Sequence, residues 1–190
     1  MVDYNIQNLK ILVVEQNGLS AEAISALLRE LGVREIFVAS SVNDAFKLFE
    51  TESVDLVFCD WSPNLDGIHF LDKVRNGKDR TNPYLPVILL SAYSDLEQLK
   101  EAINAGISDF VTKPFSARRL YTRIKKAIEL PITYVRSGGY FGPCRRRSSD
   151  GRILNRDKFI SPYEGQERRV RTIPIGDNPY AYATAQRSPA

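Results

Sequence analysis

Hydrophobic positions in the first 130 residues follow two alternating periods. Five aliphatic runs are short enough to be buried strands, and they span residues 10–14, 35–38, 55–59, 86–90 and 108–111. Between and after these runs, apolar residues recur at the three- and four-residue spacing of a helix. The helical sets are Ile24, Leu27, Leu28 and Leu31; Val42, Ala45, Phe46 and Phe49; Leu71 and Val74; Leu96, Leu99 and Ile103; and Leu120, Ile124 and Ile128. The pattern predicts a strand followed by a helix, five times over.

This element order predicts an α/β fold. Aliphatic strands separated by helices form a five-stranded parallel sheet with helices on both faces, connected by right-handed crossovers. In such sheets, ligands bind outside the carboxyl ends of the strands. Functional residues are therefore expected directly after each strand.

Charge divides the chain into two parts. Residues 1–130 carry 15 Lys or Arg and 18 Asp or Glu, a net of −3, whereas residues 131–190 carry 11 and 5, a net of +6. Only ten of the last sixty residues are Leu, Ile, Val or Phe, and twelve are Pro or Gly, so this segment buries too little apolar surface to offset its ordering entropy. We predict a folded domain over 1–130 and a flexible, largely disordered basic tail over 131–190.

Composition also bears on location. With 43% apolar and 26% charged residues, the chain is ordinary globular material. No apolar run approaches the ~20 residues of a membrane helix, and the first ten residues lack the basic and apolar regions of a signal peptide. Cys59 and Cys144 show no metal-ligand or redox spacing. A cytoplasmic protein without membrane segments or a disulfide is expected.

Polar residues of complementary chemistry follow four of the strands. They are Glu15 and Gln16 after the first, Asp60 after the third, Ser91 (followed by Ala92) after the fourth, and Lys113 after the fifth. A carboxylate at a strand end can accept a phosphoryl group to give an acyl phosphate. Neighbouring acidic and carbonyl oxygens would hold Mg²⁺, and the hydroxyl and ammonium groups would bind the phosphoryl oxygens.

The segments ILVVEQN, DLVFCDW, PVILLSAY and DFVTKPF, in this order, resemble the receiver domain of two-component response regulators. The resemblance covers about Leu9 to Leu130 and implies the flavodoxin-like, receiver-type fold. It makes Asp60 the phosphoacceptor, with phosphoryl-binding and switch roles for the residues Ser91, Ala92, Lys113 and Phe110. It also implies a Mg²⁺ site formed by Glu15, Gln16, Asp60 and the carbonyl of Ser62, and a Lys113–Pro114 peptide bond that is often cis in this family.

Two departures from the family pattern concern the metal. Gln16 stands where receivers usually have a second acid, so a neutral amide replaces a charged ligand. Gly67 follows Asp60 by seven residues, one fewer than the usual spacing, which affects the loop that contains Ser62. Because Mg²⁺ favours carboxylate ligands, we expect its affinity to be lowered.

The tail contains a repeated pattern, Tyr-x-Gly-x-x-Arg-Arg. Its members are Tyr140, Gly142, Arg145 and Arg146 in the first copy, and Tyr163, Gly165, Arg168 and Arg169 in the second, 23 residues later. Paired guanidinium groups suit acidic partners, phosphate groups or nucleic acid. The tail has no two-helix pattern, so a dedicated DNA-binding domain is not expected. An alternative is that the tail packs on the domain through its richest apolar cluster, which consists of Tyr134, Val135, Tyr140 and Phe141.

Three functions remain open at this point. The first is a receiver-only response regulator, without enzymatic activity on a metabolite, that accepts a phosphoryl group on Asp60 from a histidine kinase or phosphotransfer protein and signals to a downstream protein through changed contacts. The second is a receiver-fold scaffold that binds partners without phosphorylation. The third is a binder of nucleic acid or acidic partners through the Arg-rich tail.

Overall fold

Strands and helices alternate along most of the chain. The computed structural model describes residues 5–61, 65, 67–76, 82–91, 96–129, 134–137, 140–143 and 159–160. The elements up to residue 129 are β1 (Lys10–Val14), α1 (Gly18–Glu30), β2 (Glu35–Ala39), α2 (Val42–Thr51), β3 (Leu56–Asp60), α3 (Gly67–Asn76), β4 (Val87–Ser91), α4 (Leu96–Ala105), β5 (Asp109–Thr112) and α5 (Ala117–Glu129). The predicted succession of five strands and five helices is confirmed.

The five strands form one parallel sheet in the order β2-β1-β3-β4-β5. Along β1, Leu12 and Val14 pack into one core with residues of α2, α3 and α4, whereas Ile11 and Val13 pack into a second core with residues of α1 and α5. Successive side chains of a strand point to opposite faces, so a strand covered on both faces is apolar throughout. The predicted sheet with helices on both faces is therefore confirmed, and its strand order places the carboxyl ends of β1, β3, β4 and β5 along one edge.

Local capping explains where the first two helices begin. The Asn17 side chain accepts a hydrogen bond from the Ser20 N–H at 2.9 Å, and the Ser41 hydroxyl accepts one from the Asp44 N–H at 3.1 Å. Each bond satisfies a backbone donor that the first helical turn leaves unpaired. None of the described helices is long and apolar enough to cross a membrane.

A second, smaller sheet follows α5. It contains β6 (Tyr134–Ser137), β7 (Tyr140–Pro143) and β8 (Phe159–Ile160), with both β7 and β8 antiparallel to β6. Tyr134 and Phe141 are buried, at 1% and 3% exposure. For these described residues the structure differs from the flexible tail predicted over 131–190, and it agrees with the packed alternative for the cluster around Tyr134 and Phe141.

The burial of β6 and β7 has a physical reason. These short strands pack against α3 and the segment before β4. Arg75 is only 2% exposed. Its guanidinium donates hydrogen bonds to the carbonyls of Pro83 (2.8 Å), Leu85 (2.9 Å) and Gly106 (3.0 Å). The ring of Tyr134 covers it, with its centroid 5.3 Å from the guanidinium carbon. A buried cation with carbonyl acceptors and an aromatic cover gives β6 and β7 a specific docking surface.

An aromatic cluster completes this contact. The ring centroid of Tyr84 lies 5.2 Å from that of Tyr134 and 5.7 Å from that of Phe141, both edge to face. The Tyr134 hydroxyl donates a hydrogen bond to the carbonyl of Tyr84 at 2.8 Å. Since α3 ends and β4 begins at this end of the sheet, the β6–β7 pair lies opposite the edge where the strands have their carboxyl ends.

Candidate functional site

Two carboxylates and a lysine meet at the carboxyl edge of the sheet. The Lys113 Nζ lies 2.7 Å from Oδ1 of Asp60 and donates a hydrogen bond to Oε2 of Glu15 at 2.8 Å. The side chains of Glu15 and Asp60 are 3% and 6% exposed, and that of Lys113 is 24% exposed. A single ammonium group therefore bridges two buried carboxylates contributed by β1 and β3.

Strand ends and a helix cap fix these three residues. Glu15 follows β1, and its second oxygen, Oε1, accepts a hydrogen bond from the N–H of Asn17, the residue that caps α1. Lys113 follows β5, where its N–H donates to the carbonyl of Ser91 at 2.7 Å and its peptide bond to Pro114 is cis. The geometry of the site is thus built into the backbone of the sheet.

The charge of Lys113 is stabilised by its two partners. Partial burial alone lowers the pKa of an ammonium group, but hydrogen bonds and charge from Asp60 and Glu15 outweigh burial, so the pKa of Lys113 is raised above its ordinary value. Lys113 is therefore a permanent cation at neutral pH. It is suited to hold negative charge that develops beside Asp60.

Cys59 lies beside Asp60 but is not part of the reactive group. Its side chain is 2% exposed and packs in the core with α2, α3 and α4. Burial, with the neighbouring charges of Asp60 and Glu15, raises the pKa of this thiol. Because the thiolate is the reactive form of cysteine, Cys59 is an inert core residue.

The other predicted phosphoryl-binding residues have different positions. Ser91 is 7% exposed and ends β4 at the same edge of the sheet. Phe110 is half-buried and packs against the core of α2, α3 and α4. It also lines a cleft of about 460 Å³ between β5 and α5, together with Thr112, Arg118 and Arg123 among others. The structure brings the side chains of Glu15, Asp60 and Lys113 into direct contact. Ser91 is adjacent, because its carbonyl accepts a hydrogen bond from the N–H of Lys113.

Several predicted residues lie outside the described part of the chain. These are Ser62, Ala92, Arg145, Arg146, Tyr163, Gly165, Arg168 and Arg169. The first tail motif is described at Tyr140 and Gly142, which belong to β7. The Tyr140 hydroxyl donates a hydrogen bond to the carbonyl of Pro143, and Gly142 contacts Gly106. These two members of the motif therefore contribute to packing.

The donor set is compatible with Mg²⁺ bound together with a phosphoryl group. Among the described residues, no group of three or more His, Cys, Asp or Glu side chains could hold a metal ion. Mg²⁺ typically uses one or two carboxylates and completes its shell with water and phosphate oxygens. Glu15 and Asp60 supply two carboxylates, and Gln16, which follows Glu15, is exposed.

Arg75 is the residue of most structural consequence that sequence reasoning missed. It stands in the last turn of α3, where a basic side chain normally faces solvent and complements the helix dipole. The sequence feature that could have indicated its burial is the apolar cluster around Tyr134, because such a cluster packs against another part of the chain.

Comparison with known proteins gives the same family throughout. Residues 11–125 match the model of the response regulator receiver domain. The chemotaxis protein CheY-3 of Vibrio cholerae is 32% identical over 124 residues, which are 65% of this chain and 94% of CheY-3. Chemotaxis protein CheY of Pseudomonas aeruginosa is 33% identical over 122 residues, which are 64% of this chain and 97% of that protein.

Solved structures agree with these relatives. The receiver domain of the Francisella response regulator 1452 is 34% identical with a TM-score of 0.55, covering 62% of this chain and 94% of that one. The receiver domain of sensor histidine kinase PA1611 from Pseudomonas aeruginosa, solved with a magnesium ion in its active-site cleft, is 28% identical with a TM-score of 0.54, covering 62% and 94%. With the family model matching more than half of its residues, the chain belongs to the response regulator receiver domain family of two-component signalling.

Proposed function

We propose that this receiver accepts a phosphoryl group on Asp60 and signals through changed protein contacts. The observation that carries the proposal is the bridge from Lys113 Nζ to both Asp60 (2.7 Å) and Glu15 (2.8 Å) at the carboxyl edge of the sheet. A nucleophilic carboxylate, a second acid and a fixed cation are the groups that phosphoryl transfer to an aspartate requires. Family membership makes a histidine kinase or a phosphotransfer protein the donor.

The transfer is a displacement at phosphorus. An oxygen of Asp60 attacks the phosphorus of a phosphohistidine, a new O–P bond forms, and the N–P bond breaks. The electron pair of that bond returns to the imidazole, and the phosphoryl group adds charge that Lys113 and the hydroxyl of Ser91 stabilise. The product is an acyl phosphate, and no other substrate is transformed.

Glu15, Gln16, Asp60 and the carbonyl of Ser62 are the residues that would hold Mg²⁺. The ion would neutralise charge on the phosphoryl oxygens. Support for this assignment comes from the two converging carboxylates and from the magnesium ion reported in the receiver domain of PA1611. The neutral amide at Gln16 makes this a weaker site than two acids would form.

Phosphorylation of Asp60 is the first prediction. Incubation with Mg²⁺ and a small phosphodonor should add one phosphoryl group, measured by intact mass, and alkali should remove it, as expected of an acyl phosphate. Asp60→Asn should abolish the gain because the amide is not a nucleophile, and Asp72→Asn, an exposed aspartate in α3, should retain it. Absence of an adduct at saturating donor and Mg²⁺ would favour the scaffold that binds partners without phosphorylation.

Metal affinity provides the second prediction. Gln16→Asp should tighten Mg²⁺ binding on the order of tenfold, because two unit charges at 4 Å contribute ~1 kcal/mol in bulk water and the ion is divalent. Fluorescence of Trp61, the only tryptophan of the chain and the neighbour of Asp60, can report the titration. Gln16→Asn is the matched control, since it has the shape of Asp without its charge. Equal affinities of Gln16→Asp and Gln16→Asn would contradict the assignment of residue 16 as the limiting ligand.

A further inference from the structure

The strand that carries Lys113 is held differently from the strands that carry the carboxylates. β1 and β3 are interior strands with a neighbour on each side, whereas β5 is an edge strand paired only with β4. On its helix side, Asp109 at the start of β5 forms ion pairs with Arg123 (3.3 Å) and Lys126 (2.7 Å) of α5. β5 is therefore the element of the site with the fewest backbone restraints.

The β6–β7 pair contacts the chain where it enters β5. Gly106 lies just before β5 and has a φ of +95°. Without a side chain, it allows the backbone of β7 to approach closely. A Cβ placed on Gly142 would lie 2.6 Å from the hydroxyl oxygen of Tyr140 in the same strand and 2.8 Å from the Cα of Gly106, and a Cβ on Gly106 would lie 2.9 Å from the carbonyl oxygen of Phe141. Only two glycines fit at this distance. Gly106 is thus held both by β7 and by the Arg75 guanidinium of α3, which binds its carbonyl, and the two contacts together fix the start of β5.

The other end of β5 is fixed by Asp60. With Lys113 Nζ 2.7 Å from Oδ1 of Asp60, the gap between them has no room for a phosphoryl group. Phosphorylation of Asp60 therefore rearranges its contact with the ammonium group, and β5 is the strand nearest to this rearrangement, since Lys113 directly follows it. A shift of β5 changes the contact between Gly106 and Gly142, which tolerates little movement.

We propose that docking of the β6–β7 pair is coupled to the state of Asp60, so that the docked pair stabilises the unphosphorylated site and phosphorylation loosens the pair. The coupling rests on the proposed phosphorylation of Asp60. By linkage it is reciprocal: the undocked chain binds a phosphoryl group more tightly than the docked chain, by the same factor by which the phosphoryl group weakens docking. The pair thus acts as a positioning element for Lys113, and it connects the phosphorylation site with the basic segment that follows β7.

The first test uses the full chain and beryllofluoride, a tetrahedral mimic of the phosphoryl group that binds a carboxylate in the presence of Mg²⁺. Amide hydrogen exchange of the peptide that contains β6 and β7 should become about fivefold faster or more when beryllofluoride is bound, the lower range of typical allosteric coupling. Exchange in β2, a strand that carries no residue of the site, should be unchanged and serves as the internal control.

The reciprocal test measures the Kd for beryllofluoride from Trp61 fluorescence. Gly142→Ala should lower the Kd about fivefold or more, because its methyl group would clash with Gly106 and undock β7. Gly18→Ala is the matched control, since nothing lies within 4 Å of that position and the Kd should stay the same. Tyr134→Phe, which loses only the hydrogen bond to Tyr84, is a milder variant and should lower the Kd by less.

The outcomes separate this proposal from the one on which it rests. Phosphorylation of Asp60 with unchanged exchange in β6 and β7, or with an unchanged Kd in both Gly142→Ala and Tyr134→Phe, would overturn the coupling and leave the phosphoacceptor function intact. Absence of both a phosphoryl adduct and beryllofluoride binding in the wild-type chain would overturn the two proposals together.

Discussion

Truncation of the chain after Leu130 should lower the free energy of unfolding by on the order of 3–6 kcal/mol. The truncation removes Tyr134 and Phe141, which are 1% and 3% exposed, and full burial of one large apolar side chain contributes ~1.5–3 kcal/mol. It also uncovers Arg75, whose guanidinium lies under the Tyr134 ring. Denaturant titration followed by far-UV circular dichroism measures the loss.

The matched control is truncation after Ile160, which retains the β6–β7 pair and its partner β8. Its stability should stay within ~0.5 kcal/mol of that of the full chain, as for changes away from packed features. Equal stabilities of the two truncated chains would show that the β6–β7 pair contributes nothing to the fold. That result would support a flexible tail beginning at Pro131.

Replacement of Lys113 by Met should destabilise the chain by about 2 kcal/mol. The substitution leaves Glu15 and Asp60 as neighbouring buried carboxylates without a cation, and breaking a fully buried pair costs ~3–5 kcal/mol. The loss is smaller here because Lys113 is 24% exposed and remains in contact with water. Adding Asp60→Asn to Lys113→Met should restore part of the stability, since it removes one of the two stranded charges. A double variant no more stable than Lys113→Met would contradict this account.

Alkaline pH provides an independent check on the same ion pairs. The pKa of Lys113 in the folded chain is raised above its ordinary value of 10.5. Its contribution to stability is therefore fully present below pH 10.5, and it is lost as the pH rises through the folded-state pKa. The difference in thermal midpoint between the wild-type chain and Lys113→Met should shrink over that alkaline window and stay constant from pH 7 to 9.

The sheet could be predicted from sequence because its strands are buried on both faces. A strand such as β3 has no exposed positions, so it stands out as an uninterrupted apolar run. The predicted ranges agree with the observed strands to within about one residue, and the pattern of Val42, Ala45 and Phe49 located α2. The positions of Glu15, Asp60 and Lys113 directly after their strands also predict that these residues lie on one edge of the sheet.

What the sequence pattern could not provide is contact between residues far apart in the chain. The bridge from Lys113 to Glu15 joins positions 98 residues apart. Strands β6 and β7 have four residues each, with Gly and Pro in β7, so no periodicity marks them as strands. Their burial depends on Arg75 and Tyr84, which belong to other elements and have no sequence signal of their own.

The contacts of Arg75 restrict which residue can stand at position 75. Its guanidinium meets three carbonyls in fixed directions and lies under an aromatic ring, which a lysine cannot reproduce. Tyr134, which covers the guanidinium, therefore adds to the constraint that the carbonyls of Pro83, Leu85 and Gly106 place on position 75. We therefore expect an arginine at the end of the third helix, a tyrosine 59 residues later and a glycine 8 residues after that in receivers whose C-terminal strands dock as β6 and β7 do here.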